Sequence, residues 1–273
     1  MHPLLAIKHF IFSPIYVMKD YIMEQLNQKI SVTSKSVLTY LIHNEYWKNK
    51  KMNHKCVYTC MTGGYDNIIL HTYIALDYDY ICFTDNKQLL QLGTFGAWQI
   101  RPLFFNKLSN QLNNRWHKLH PHICLKEYDS SIYVDSNVDI LTPYYFNLIE
   151  ERKNELIIMP CHYSRNCVFS ELKSVYDQKK DSKENCKKIK KFLKDEKMPK
   201  HYGLTENNII YRHHNEKAVY DIMEAWWFML LNYSKRDQLS LSYCFWKADI
   251  KIEDITFPNA RKDYKNFSII EHK

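Results

Sequence analysis

The stretch SIYVDSNVDI, residues 131–140, governs how the rest of the chain is read. Ile132, Tyr133 and Val134 run straight into Asp135-Ser136-Asn137, which is the pattern of a buried strand ending abruptly in oxygen ligands. A carboxylate and an amide two positions apart at a strand end can point the same way and share one hard cation. Three other β-rich runs end in the same manner. CVYTCMTGGYDNI, from Cys56, passes into Gly63-Gly64-Tyr65; DYDYICFTDN, at 77–86, ends in Thr84-Asp85-Asn86; ELIIMPCHYSRN covers 155–166. Apolar runs with polar ends predict an α/β fold with a mostly parallel sheet, whose ligands bind beyond the carboxyl ends of the strands.

Between the second and third runs the sequence reads as helical around RPLFFNKLSNQLNNRWHKLHPH, residues 101–122. Its Arg115 and Lys118 are three apart, hence on one helix face, and suit a polyanion. GLTENNIIYRHHN at 203–215 reads as another strand entry, AVYDIMEAWWFMLLNY at 218–233 as a buried helix, and RDQLSLSYCFWK at 236–247 as a further helical stretch. The tail from 248 shows no pattern.

The chain has 273 residues with 38 Lys+Arg against 30 Asp+Glu, a formal net charge of +8. This favours anionic partners such as nucleotide diphosphates, acidic glycans or a membrane surface; no nucleic-acid motif accompanies it, so no nucleic-acid partner is expected. Much of the surplus lies in KKDSKENCKKIKKFLKDEKMPK, at 179–200, read as a solvated basic helix or insertion. Eight cysteines are scattered, and neither Cys56/Cys60 nor Cys161/Cys167 has zinc-ribbon spacing. Unclustered thiols fit a cytoplasmic protein. The first 54 residues read as a helical lead-in packed on a catalytic domain spanning 55–273. Lys8, His9, Pro14 and Lys19 break its apolar start, leaving peripheral contact with the inner face of a membrane open.

Gly63, Gly64 and Tyr65 would let a base or ribose approach the backbone and stack on an aromatic ring. Asp85 can accept hydrogen bonds from a ribose or base. A cation at Asp135 and Asn137, with Arg115 and Lys118, would stabilise a departing diphosphate. Asp237 suits a helix N-cap.

The series YTCMTGGYD, DYDYICFTDN, NNRWHKLHPH, SIYVDSNVDI, CHYSRNCVFSE, GLTENNIIYR and RDQLSLSY resembles a known family. It is similar to the glycosyltransferase-like domain of plant mucilage- and turgor-related proteins, shared by bacterial polysaccharide-locus proteins, over roughly residues 55–247. The resemblance implies a GT-A fold and metal-dependent transfer of a sugar from a nucleotide-sugar, a UDP-sugar foremost, with Mn2+ or Mg2+. The acceptor it implies is a polysaccharide or glycolipid. It implies donor contacts from Thr62, Tyr65 and Asp85, phosphate or sugar contacts from Arg115 and Lys118, and metal ligation by Asp135. Asn137 takes the second acidic place of the D-x-D form, a departure that lowers the site's charge. His213 or His214 would add a late metal ligand. His162 and Arg165, with Glu171 after them, would orient sugar or acceptor; Glu206 and Asp237 would place an acid near the reacting carbon. Two other readings stand beside transfer: a hydrolase using the same metal to activate water on a lipid or sugar-nucleotide bond, and a non-catalytic sugar-nucleotide-binding module.

Overall fold

The computed structural model describes residues 46–49 and 53–271. The expected lead-in, and with it the expected membrane contact, lies outside the described residues except for its end. There Tyr46–Asn49 form a 3-10 turn, and the Tyr46 hydroxyl donates to the Tyr78 carbonyl at 2.6 Å. Among the described residues no helix is long and apolar enough to cross a membrane.

Eight strands build one sheet. They are β1 (Lys55–Met61), β2 (Asp79–Thr84), β3 (Thr94–Phe95), β4 (Trp98–Pro102), β5 (Ser130–Val134), β7 (Ile157–Pro160), β8 (Ile209–Arg212) and β9 (Thr256–Phe257). Their spatial order is β3-β4-β2-β1-β5-β8-β7-β9. Strands β4, β2, β1 and β5 run parallel. β8 enters antiparallel between β5 and β7, and β9 pairs parallel with β7. A separate ribbon joins β6 (Val138–Ile140) to β10 (Phe267–Ile269). The chain order of helices is α1 (Lys87–Leu92), α2 (Asn110–Leu119), α3 (Pro121–Cys124), α4 (Tyr144–Glu151), α5 (Val168–Asp177), α6 (Lys183–Asp195), α7 (Lys217–Asn232), α8 (Leu241–Lys247) and α9 (Ile252–Ile255). This is the expected α/β architecture, a mostly parallel central sheet flanked by helices.

Both faces of the sheet are covered, which is why its strands are almost continuously apolar. Along β1, Val57 and Met61 enter one core cluster, with Tyr80, Trp98 and Tyr145. Cys56, Tyr58 and Cys60 enter the opposite one, with Trp116, Trp226 and Phe245, following the period of two along a strand. Trp226 of α7 is fully buried, worth roughly 1.5–3 kcal/mol for a side chain of this class. The expected helix over 101–122 is shorter. Arg101 and Pro102 end strand β4, and α2 begins only at Asn110, where the Ser109 hydroxyl accepts the Leu112 amide at 3.4 Å.

His117 of α2 fixes the loop ahead of it. Its Nε2 accepts the Phe104 amide at 2.9 Å, so Nδ1, 2.7 Å from the Asn113 carbonyl, carries the proton. The neutral ring is thus fully used, and burial pulls its pKa down to about 4. A folded-state pKa below the unfolded value of about 6.5 means stability that is complete above pH 6.5 and lost as pH falls toward 4. The contribution is about 3 kcal/mol. Melting curves at pH 7 and pH 5 should show a lower Tm at pH 5, with a smaller drop in His117→Gln. An identical drop in the variant would remove His117 from the account.

Candidate active site

The carboxyl ends of β1, β2, β5 and β7 and the start of β8 converge on one edge of the sheet. Beyond β1 and β5 lies a cavity of about 420 Å³, lined among others by Thr62, Gly63, Tyr65, Asp66, Arg115, Asp135 and Arg236. A neighbouring cavity of about 340 Å³ is lined by Gly64, Asn67, Thr84, Asp85, Asn86 and Gln88, and shares Met61 and Asp66 with the first.

The Gly63-Gly64 turn is held in place by Asp85, both of whose carboxylate oxygens accept the Gly63 amide, at 2.9 and 3.1 Å. Gly63 has φ +64°, and a Cβ there would sit 2.1 Å from the Asn110 side-chain nitrogen, so another residue would be strained and would displace Asn110. Thr62 donates its hydroxyl to the Asn110 carbonyl at 2.8 Å. Tyr65 stands 62% exposed on the cavity wall.

Behind the cavity is a chain of alternating charges. Lys118, buried on α2, places its ammonium 3.5 Å from Asp135, 3.1 Å from Asp237 and 4.8 Å from the centre of the Tyr133 ring. Arg115 Nε lies 3.5 Å from the same Asp237 oxygen. Burial by itself would raise the Asp237 pKa, but Arg115 and Lys118 overturn this and hold it well below the usual carboxylate range. The same pairing raises the Arg115 pKa against the effect of its burial. Asp237 is the first residue of a 3-10 turn whose cap position is held by Arg236, so it does not stand at the N-cap.

Asn137 is directed elsewhere. Its side-chain amide donates to the Ile270 carbonyl at 2.8 Å, and its own carbonyl accepts the Ile270 amide at 2.8 Å, so it pins the end of the β6–β10 ribbon. Asp66 lines the cavity beside Asp135, and Ser136 donates its hydroxyl to Asp66 at 2.5 Å. Two carboxylates and a hydroxyl form an all-oxygen set suited to Mg2+ or Mn2+. Among the described residues no group of three or more His, Cys, Asp or Glu side chains is arranged to hold a metal. His213 and His214 do not fit the late-ligand expectation. β8 runs antiparallel to β5, so the residues after Arg212 leave from the opposite edge of the sheet. There His213 Nε2 contacts the Tyr211 hydroxyl at 2.9 Å, and His214 Nε2 contacts the Leu125 carbonyl at 3.0 Å.

A second cluster gathers where β7 ends and β8 begins. His162 Nδ1 accepts the amides of Ser164 and Arg165, at 3.2 and 3.1 Å. Its Nε2 lies 3.6 Å from Glu171, which also receives Arg165 Nε at 2.5 Å. Glu206 is buried, with one oxygen 3.3 Å from Arg261 Nε and the other without a partner. Burial raises its pKa, and Arg261 only partly offsets this. The two clusters are joined through the backbone: the Asp135 amide donates to the Asn208 carbonyl, and the Glu206 amide to the Pro160 carbonyl, both at 2.8 Å.

A family model described as TOD1/MUCI70, glycosyltransferase-like domain, matches residues 80–269, well over half of the chain. The chain belongs to this family. It is a glycosyltransferase. The match begins within β2, later than the motif series that starts at β1, and extends through β10, beyond the end of that series. No curated protein sequence matches the chain. Among solved structures, the glycosyltransferase is similar to mouse xyloside xylosyltransferase 1 in its apo form, at 10% identity and TM-score 0.43 over 76% of this chain and 85% of that one. It is also similar to the WbbM bifunctional glycosyltransferase apo structure, at 10% identity and TM-score 0.42 over 78% and 39%. A third likeness is to the mannosyltransferase Ktr4p from S. cerevisiae, at 8% identity and TM-score 0.37 over 82% and 79%.

Of the expected site residues of this glycosyltransferase, Thr62, Gly63, Tyr65, Arg115 and Asp135 line the main cavity; Lys118 and Asp237 lie behind it; Asp85 lines the neighbouring one. His162, Arg165 and Glu206 form the second cluster. Sequence reading passed over Asp66, Arg236 and Arg261. Asp66 follows the glycine turn and Arg236 precedes Asp237, so adjacency was the available signal. Arg261 sits in the patternless tail and had none.

Proposed function

We propose that this glycosyltransferase takes its sugar from a nucleoside diphosphate donor, a UDP-sugar foremost, with Mg2+ or Mn2+, and passes it to a polysaccharide or glycolipid acceptor. The observation that carries this reading is the cavity between the Gly63-Gly64 turn and Asp135, with Arg115 and Arg236 on its wall and Lys118 behind it. The smaller cavity, with Asn67, Asp85 and Gln88, suits the polar edge of a base, and Tyr65 suits stacking. Asp135 and Asp66 would hold the cation, which supplies positive charge to the departing diphosphate. Arg115 and Arg236 bind phosphate oxygens, and Arg236 Nε is buried without a protein partner. Asp237 acts as counter-ion and orienter for Arg115 and Lys118, since a carboxylate held that acidic is a poor proton acceptor. Glu206, with a raised pKa and an unpartnered oxygen, is the better base for an inverting reaction; His162 and Arg165 orient sugar or acceptor. All eight cysteines are free thiols, in keeping with a cytoplasmic site of action.

A thermal-shift screen of UDP, UDP-glucose, UDP-galactose, GDP and GDP-mannose, with Mn2+ or with EDTA, tests this. The expected result is a Tm rise for one nucleotide class, larger with Mn2+; occupancy at a hundred times Kd is worth about 2.7 kcal/mol. No shift with any nucleotide would remove the donor site. Fast sugar release from the donor alone would favour the hydrolase over the transferase.

A further inference from the structure

Most of the basic segment at 179–200 is the helix that the sequence allowed. Helix α6 spans Lys183–Asp195, capped by the Ser182 hydroxyl, which accepts the Asn185 amide at 3.0 Å. Its apolar side, Cys186, Ile189 and Leu193, packs against Val168, Leu172 and Val175 of α5. The same cluster includes Leu204, two residues before Glu206, and Leu239, two after Asp237. The helix is therefore bolted to both segments that carry acidic site residues, and its outer surface is held rigidly relative to the site.

Lys183, Lys187, Lys190 and Lys194 recur at intervals of four, three and four along that outer surface. At about 100° per residue they fall within roughly 60° of the circumference, forming one straight row about 16 Å long with steps of about 4.5–6 Å. All four are exposed. The ion pair formed by a lysine of this helix belongs to a neighbouring row, where Lys191 meets Asp195. Lys188 lies over the Tyr233 ring at 5.5 Å. On one side the lysine row borders the buried apolar face; on the other it borders Glu184, Lys191 and Asp195, a row of mixed charge. The basic feature is thus a line and not a plane. A membrane surface would engage a broad basic area together with an apolar face free to insert, and the apolar face of α6 is occupied by the core.

We propose that this row binds a linear anionic glycan, the acidic polysaccharide acceptor of the transfer reaction. The assignment rests on the reading of the site as a transferase with a glycan acceptor. Acid groups recurring along an extended glycan would meet ammonium groups of the row, alternate ones where every second sugar is acidic, and the mounting of α6 on the core would hold that chain at a fixed position relative to the site. Because the contacts are between exposed charges, binding should weaken as salt rises.

The test uses the full chain and a fluorescent hyaluronate decasaccharide as probe, read by anisotropy at 50 and 200 mM salt, with maltodecaose as the neutral competitor. Wild type should bind hyaluronate, bind it less at the higher salt, and not release it to maltodecaose. Replacing Lys183, Lys187, Lys190 and Lys194 by Glu should reduce affinity at least about tenfold while leaving Tm and UDP binding unchanged. A control reversing Lys126, Lys153, Lys251 and Lys265 alters net charge equally and should retain binding. The proposal is overturned by unchanged affinity in the row variant, by equal loss in the control, or by binding of phosphatidylglycerol vesicles without binding of hyaluronate. Failure of wild type to bind UDP, with hyaluronate binding intact and dependent on the row, would sink the donor reading and leave the anionic-glycan site standing.

Discussion

Asp135→Ala should abolish the Mn2+ enhancement of donor binding and lower kcat/KM by about a hundred- to a thousandfold, the usual loss when a main source of transition-state charge stabilisation is removed. The Asp135 side chain is 31% exposed and its ion pair with Lys118 is 3.5 Å long. Solvent screens such a contact, so the fold should lose only about 1 kcal/mol or less. The variant is therefore expected to melt near the wild-type Tm and yet fail at the site. Calorimetric titration of UDP with Mn2+ and with EDTA reads the effect directly. In wild type the two affinities should differ; in Asp135→Ala they should coincide. A variant that keeps the wild-type ratio would transfer the metal role away from Asp135. Asp66, beside it on the cavity wall, would then be the next residue to substitute.

Asp237→Asn should act in the opposite sense, harming the fold more than a surface carboxylate would. Its neighbours Lys118 and Arg115 are little exposed, and removing their shared anion leaves two cations without it. Breaking a buried pair of this kind costs about 3–5 kcal/mol. The folded-state pKa of Asp237 is depressed, so its contribution is fully present above the unfolded value of about 3.9 and is lost as pH falls below it. Urea unfolding at pH 7 should show the full deficit of the variant, and the gap should narrow below about pH 4. UDP or pyrophosphate should restore part of the deficit at pH 7, because a phosphate supplies the missing anion. If Asp237 were instead the general base, the variant would lose about 10²–10⁴ in kcat with little change in stability, and that result would falsify the counter-ion role.

Much of the sheet was legible because its strands are buried on both faces. The runs ending at Met61, Thr84, Val134 and Pro160 are apolar and stop at polar residues, and each is a strand ending at the functional edge. Strand β4 was not legible. Its Trp98–Pro102 sequence mixes Gln99 and Arg101 with apolar residues near the sheet's edge, and it merges into the following helical pattern. Strands β9 and β10 have two and three residues, too few for any period to show. Asp237 was equally ambiguous in the sequence, where its type and position suit a cap or a base. Only the approach of Arg115 and Lys118 from α2, more than a hundred residues earlier, decides its charge state.

The sequence by itself determined the α/β class and the polar strand ends, Asp135 among them, because burial period and residue type act locally. Tertiary structure alone decided the rest. It turned Asn137 into the β6–β10 ribbon, set Asp66 beside Asp135, sent His213 and His214 to the far edge through the antiparallel run of β8, and brought Arg261 from the tail to Glu206. It also packed the helix of 179–200 against α5, which fixes the position of its exposed lysines. Each of these depends on which distant segments pair, and pairing is fixed by packing across the sheet, which no local pattern records.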